Sequence, residues 1–165
     1  MHDLNINVFR NNFNFIIKLF CIIIINYNVY PYLKNCLISI YGKIKNIDYE
    51  VIVADNDSSN RDIENIKTDF PIVNFFQLSQ NLGFAKANNQ ALLLASGSNI
   101  LFLNPDTIVP EDCFEQCISF LSSNPDVGAL GIRMIDGSGK FLKESKRAFP
   151  SPLTSLFKLS GLTHL

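Results

Sequence analysis

Four short polar clusters carry most of the side chains in this sequence with evident chemical potential: Asn26-Tyr27-Asn28, Asp55-Asn56-Asp57, the set Asn81, Gly83 and Asn88, and Asn104-Pro105-Asp106. The last of these follows the apolar run Leu101-Phe102-Leu103. Pro105 can neither donate to a strand ladder nor let Asn104 take helical angles. Asp106 is therefore expected on a loop just past a strand's carboxyl end, the edge at which open α/β sheets bind ligands. A carboxylate there, beside an aromatic ring and several amides, suits a nucleotide whose diphosphate is neutralised by Mg²⁺ or Mn²⁺. Such hard cations take oxygen ligands and draw only one or two from protein, with phosphate and water supplying the rest. The competing reading is turn chemistry alone, because Asn, Pro and Asp all favour turns. Three strand ends of this kind in one chain favour the site.

The elements that must position these clusters follow from periodicity. Leu19 to Ile25 is a continuous apolar run, expected as a strand ending at Asn26-Tyr27-Asn28. Pro31 then opens a helix in which Leu33, Cys36, Leu37, Ile40 and Tyr41 form one stripe and Gly42 is the stop. Glu50 to Ala54 repeats the strand signal, and Ser59 and Asp62 are spaced as a capping pair for a short helix. A third strand is expected from Pro71 to Leu78, followed by a helix from about Ala85 to Ala95 with Ala87, Ala91 and Ala95 on one face and Gly97 as its stop. Ile100 to Leu103 is expected to be a strand covered on both faces. Beyond Pro110, Phe114, Cys117, Ile118 and Leu121 mark another helix. Val127 to Ile135 reads as a further strand, and Asp136-Gly137-Ser138-Gly139 as a hairpin-type turn into Lys140 to Glu144. Strands alternating with helices across short loops predict an α/β fold, a doubly wound and mostly parallel sheet.

Composition narrows the function. The 165 residues are 47% hydrophobic and 18% charged with a net charge of −1, which excludes disorder and leaves no basic patch for nucleic acid. Phe13 to Ile25 is strongly apolar but contains Lys18 and falls short of the ~20 residues needed to span a bilayer. No small-residue cleavage site follows it, so it does not fit a secretory signal. Cys21, Cys36, Cys113 and Cys117 lack paired CxxC spacing, which points to a reduced, cytoplasmic setting. His2, His164 and Ser138 have no partner pattern for metal or nucleophilic work.

Taken in order, IIIINYN, VIVADNDSS, NLGFAKANNQAL and LFLNPDTIVP resemble the nucleotide-sugar half of family 2 glycosyltransferases, and among them the rhamnosyltransferase-like members of bacterial surface polysaccharide assembly. The resemblance covers roughly Leu19 to Arg147. It implies the A-type glycosyltransferase fold, a Rossmann-like sheet, and an inverting transfer of a sugar from a nucleotide-diphosphate donor, UDP- or dTDP-linked, to a glycan or lipid-linked acceptor hydroxyl. Its motifs place Asn26, Tyr27 and Asn28 at the base, with Tyr27 as the stacking aromatic, although an ordinary strand-end tyrosine is the alternative. Asp55 and Asn56 fall where base and ribose are read, Asn56 replacing a frequent Asp. A cap and Asx turn would use the same two residues. Asn81, Gly83 and Asn88 fall beside ribose and diphosphate, again with loop capping as the alternative. Asn104 and Asp106 fall on the metal motif, whose first Asp is here Asn, leaving Asp106 to hold Mg²⁺ or Mn²⁺.

The same resemblance implies a general base on a later acidic motif, and none is recognisable here. The base is accordingly expected beyond Leu165, with the chain cut short at its C-terminus. Residues 1–18 are read as an unplaced N-terminal extension, 19–147 as the nucleotide-sugar-binding domain and 148–165 as the start of an acceptor-side region. The alternative function is a non-catalytic nucleotide-sugar-binding or interaction fragment. A nucleotidyltransferase is a remoter alternative, since its glycine- and arginine-rich loop should stand where Asn26-Tyr27-Asn28 does. The expected location is cytoplasmic, including peripheral association with the inner face of the membrane.

Overall fold

The computed structural model describes residues 20–44, 47–59 and 63–142. The readings of 1–18 as an extension and of 148–165 as the start of another region, the capping role of Asp62, and the segment from Lys143 onward lie outside the described residues. The chain divides into two compact units, residues 1–115 and 116–165.

The first unit is organised on strand β1 (Phe20–Asn26), in which every residue is buried. It pairs in parallel with β2 (Tyr49–Asp55) on one side and β4 (Asn99–Leu103) on the other, and β3 (Asn74–Gln77) adds outside β2. The sheet order is thus β3-β2-β1-β4. A strand with a neighbour on each edge and helices on each face must be apolar throughout, which is why an Ile run stands here rather than an alternating one. Cys21, Ile23 and Ile25 join Ile52 and Ala54 beneath Ala87 and Ala91 of α3 (Phe84–Leu92). Those alanines have no bulk beyond Cβ, so the helix lies close on the sheet. Each fully buried isoleucine stabilises the fold by about 1.5–3 kcal/mol relative to leaving it in water.

By strand alternation Ile22, Ile24, Val51 and Val53 face the opposite side. That is the side of α1 (Tyr30–Lys43), whose Tyr30 reaches the β2 carboxylate Asp55. Leu33, Cys36, Leu37 and Ile40, four members of the expected stripe, are fully buried. Pro31 stands in the first turn, where its missing N–H deprives no carbonyl. Tyr41 packs between Tyr49 and Phe70, with centroids at 5.9 and 5.8 Å, beside α2 (Ile63–Asp69). At the opposite edge of the sheet from the ligand loops, Glu50 accepts from the Ser96 amide and hydroxyl and the Gly97 amide, tying the segment after α3 to the start of β2.

Two expectations are corrected. β4 is not a strand covered on both faces: it is only half-buried, and Phe102 is 50% exposed. Among the described residues its one strand neighbour is β1, and although Ile100 packs against the cluster beneath α3, Phe102 farther along stays exposed. Val127 to Ile135 forms no ladder. A single antiparallel bridge, Ile135 to Phe141, closes the turn instead. The segment is largely exposed and has no neighbouring strand among the described residues, and an isolated extended pair has too little buried surface to persist as a ladder. The turn itself is as expected: Asp136 Oδ1 accepts from Ser138 and Lys140, and Gly139 takes a φ of +82°. Helix α4 spans Cys113–Ser123, and of its expected stripe Phe114 is buried while Cys117, Ile118 and Leu121 are half-buried.

Candidate functional site

Because all four strands are parallel, their carboxyl ends lie on one edge, and the register aligns them closely. Asn26 stands opposite Asp55, and Asp55 opposite Gln77, while β4 ends with Leu103 opposite Ile24. The loops after β1, β2, β3 and β4 therefore open side by side, and these loops hold the sequence-predicted residues, except Asn26 and Asp55, which end β1 and β2, and Asn88, which lies on α3.

Within the edge a buried frame can be separated from an exposed rim. Asp55 is 1% exposed. Its Oδ2 accepts from Asn26 Nδ2 at 2.7 Å and from the Tyr30 hydroxyl at 2.5 Å, and its Oδ1 accepts from the Ser58 amide at 2.8 Å. Asn56, also buried, accepts the Leu82 amide on Oδ1 at 2.9 Å and donates through Nδ2 to Asn81 Oδ1 at 2.9 Å. Asn81 in turn accepts the Gly83 amide. Gly83, with φ +74°, adopts a conformation that side-chain-bearing residues rarely take and leads directly into α3. Asn88 is buried and donates to the Phe84 carbonyl, so it braces the first turn of α3. The side-chain amides at 26 and 56 and the Asp55 carboxylate are thus spent largely on holding the loops to one another, while that of Asn88 is spent within α3.

The rim is made of Tyr27, Asn28, Asn81, Asn104 and Asp106, all exposed. Asn28 has φ +58°, a left-handed conformation that Asn tolerates. Its carbonyl oxygen Oδ1 caps the Ser59 amide and hydroxyl, and its own amide donates to Ser58 Oγ. After β4, Thr107 donates to the Asn104 carbonyl at 3.2 Å, closing the turn that carries Asp106 outward. Below this turn lies Cys36, whose thiol donates to the same carbonyl at 3.8 Å. Burial, and after it the negative charge of Asp106, pushes that thiol up to about 12, so it remains protonated and a donor.

One group in the frame is unmatched. Asn26 Oδ1, fully buried, has no hydrogen-bond partner among the described residues. A buried acceptor left open costs about 1–3 kcal/mol.

The sequence reading missed two residues. Tyr30 stands just before the Pro31 that marks the helix start and carries no signal of its own, and Ser58 is legible only as part of a turn. Yet Ser58 both donates to Asp55 and accepts from Asn28 and Asn26, which makes it the junction between the first two loops. The signal was the Asp-x-x-Ser spacing, in which the carboxylate can cap the amide three residues on.

The fold and this edge together define a class, an α/β domain with the loops of its parallel strands gathered at one edge of the sheet. Comparison with known proteins makes the class specific. The Glycosyl transferase family 2 model matches residues 21–163. The chain belongs to that family, and its sheet and helices are those of the A-type glycosyltransferase fold. It is 35% identical over 94 residues to an uncharacterised glycosyltransferase, YfnE, of Bacillus subtilis, covering 55% of this chain and 24% of that protein. An N-acetylglucosaminyltransferase of Bradyrhizobium elkanii is 33% identical over 101 residues, covering 59% of this chain and 55% of that protein. Among solved structures, residues 1–349 of S. aureus TarS in complex with UDP-GlcNAc align with a TM-score of 0.58 at 24% identity, covering 64% of this chain and 32% of that one. A mannosyltransferase of Pyrobaculum calidifontis in complex with GDP-Man and Mn²⁺ aligns with a TM-score of 0.59 at 23% identity, covering 67% and 34%. The chain therefore spans about a quarter to a half of these curated relatives and about a third of these structural neighbours.

Proposed function

We propose that this chain supplies the donor-binding part of an inverting glycosyltransferase that moves a sugar from a UDP- or dTDP-linked donor to a glycan or lipid-linked acceptor hydroxyl, in rhamnosyltransferase-like fashion, in bacterial surface polysaccharide synthesis. The observation that carries this reading is the division of the sheet edge into a buried, hydrogen-bonded frame and an exposed rim that presents Tyr27, Asn104 and Asp106 together. The nucleotide-sugar complexes of TarS and of the mannosyltransferase support it.

In this reading Tyr27, 49% exposed, offers its ring to the base. Asn81 and the amides at the start of α3 lie toward ribose and diphosphate, and Asn28 shapes the loop beneath the base. Asn26, Asp55 and Asn56 act mainly by fixing those loops, and Asn88 by bracing the first turn of α3. The donor set fits a hard divalent cation only if phosphate completes it. Asp106 is one exposed carboxylate with the Asn104 amide beside it, and among the described residues no group of three or more His, Cys, Asp or Glu converges. Asp106 would hold Mg²⁺ or Mn²⁺, and the cation, when bound, would supply Lewis-acid stabilisation of the leaving diphosphate. Attack on the anomeric carbon from the opposite face requires a base within hydrogen-bond reach of the acceptor hydroxyl. We assign that role to no described residue: Glu111 pairs with Lys43, and Asp136 is engaged in its turn. We divide the sequence functionally into a donor domain over 19–147, preceded by an extension over 1–18 and followed over 148–165 by the start of an acceptor-side region. No helix among the described residues is long and apolar enough to cross a membrane. The reading places the work in the cytoplasm, at the inner membrane face where lipid-linked acceptors are presented.

The test is calorimetric titration of UDP and dTDP with and without Mn²⁺, on the wild type and on Asp106→Ala. Mn²⁺-dependent binding by the wild type, lost in the variant, is the expected result. Equal binding by the two proteins, or none by either, rejects the assignment.

A further inference from the structure

The loop that carries Asp106 has little internal structure: its backbone closes the single turn from Asn104 to Thr107, and no strand pairs with it among the described residues. What holds it is α1. The Cys36 thiol donates to the Asn104 carbonyl at 3.8 Å, the Val109 amide donates to Ser39 Oγ at 3.0 Å, and Lys43 Nζ pairs with Glu111 Oε1. The three helix positions are spaced i, i+3 and i+7, which places them on one stripe. They meet the loop in its own chain order, so helix and loop run side by side in the same direction. Ser39 is the firmest of the three anchors. It is buried, and its hydroxyl hydrogen is committed to the Cys36 carbonyl at 2.7 Å, which leaves its oxygen aimed at Val109. Val109 itself is 3% exposed, whereas Ile108 beside it is 64% exposed. The loop is thus pinned on both sides of Asp106, and the segment between the pins is the part that projects.

We propose that Cys36 and Ser39 are positioning residues for Asp106: α1 is a splint that fixes the loop and so sets the strength of the contact between Asp106 and a divalent cation carrying a nucleoside diphosphate. This rests on the donor-site reading above. Ser39→Ala leaves the buried Val109 amide without its acceptor and loosens the loop without touching the rim that faces the base.

The experiment uses the whole chain, with Mn²⁺·UDP and uridine as separate probes and amide hydrogen exchange read at Val109. For Ser39→Ala the expected outcome is exchange at Val109 about tenfold faster, Mn²⁺·UDP affinity weaker by roughly three- to tenfold, and uridine affinity unchanged. Ser39→Thr, which keeps the hydroxyl, restores the first two. A general loss of structure would weaken uridine as well and would overturn the positioning role. If the wild type binds Mn²⁺·UDP through Asp106, as its Asp106→Ala variant reports, but Ser39→Ala binds it equally well, the splint is refuted while the donor site stands. If the wild type shows no metal-dependent binding, both fall. Should Ser39→Ala not fold, Cys36→Ala is judged by the same two affinities, with amide exchange read at Thr107, which donates to the Asn104 carbonyl that Cys36 holds.

Discussion

Tyr30→Phe gives the sharpest check on the frame at the sheet edge. Tyr30 is 3% exposed, so removing its hydroxyl leaves the packing of α1 on the sheet intact while deleting its hydrogen bond to Asp55. That bond runs to Asp55 Oδ2, which keeps Asn26 Nδ2 as its other donor. A hydrogen bond to a carboxylate contributes about 1.5–3 kcal/mol. For a chain of this size, each kcal/mol shifts the midpoint of thermal unfolding by about 2–4 °C, so the variant should melt roughly 3–12 °C lower. Urea titration of both proteins, with matched slopes, measures the loss directly. Combining Tyr30→Phe with Asp55→Asn should then give less than the sum of the two single losses, because each removes part of the same interaction. A loss below about 0.5 kcal/mol, the level of an ordinary surface substitution, would show that the frame does not depend on Tyr30. Strict additivity in the double variant would refute the pairing.

At Gly97 a Cβ would lie 2.6 Å from the Cys21 nitrogen and 2.8 Å from the Phe20 carbonyl carbon, so Gly97→Ala should destabilise by about 1–3 kcal/mol or more in a urea titration. Burial raises the Glu50 carboxyl, but the amide and hydroxyl of Ser96, the Cys21 thiol and the Gly97 amide outweigh it, and the net shift is below the ordinary value of 4.5. The folded pKa is therefore the lower one, and the stability Glu50 contributes is complete above about pH 4.5 and lost as pH falls through the folded value. Urea midpoints of Glu50→Gln, measured from pH 6 to pH 3, should accordingly show a weaker acid dependence than the wild type. The Cys36 thiol, at about 12, is ionised to roughly one part in 10⁵ at neutral pH and should escape iodoacetamide in the native protein. Mass spectrometry that finds Cys36 stoichiometrically alkylated at pH 7 without denaturant would contradict its buried position.

The alternation of elements was legible because each rests on a local rule: an Ile run for a central strand, Pro31 for a helix start, and Ala87 and Ala91 for a helix lying close on a sheet. The site clusters were legible as positions for the same reason, since a strand's end can be read from where its apolar run stops. Two things were not. Whether an apolar run is central or at the edge depends on how many neighbours it has, and nothing within Ile100 to Leu103 records that β4 pairs with β1 alone among the described residues. Equally, the sequence marks Asp55 and Asn56 as polar without saying which way they face. Their distant partners, Asn26 and Tyr30 for one and Asn81 and Leu82 for the other, are brought to them only when the sheet assembles.

The central position of β1 also sets a schedule for the chain's assembly. Phe20 pairs with Tyr49 on one side but with Asn99 on the other, a partner made 79 residues later. At a synthesis rate of about 5–20 residues per second, that interval lasts roughly 4–16 seconds. Throughout it Cys21 to Ile25 has at least one open edge, a row of unpaired amides and carbonyls on the most apolar strand described. Parallel pairing over such a separation is slow, and an open apolar edge is a template for association with other chains. The strand that anchors the finished sheet is therefore the segment most in need of shielding while the chain is being made.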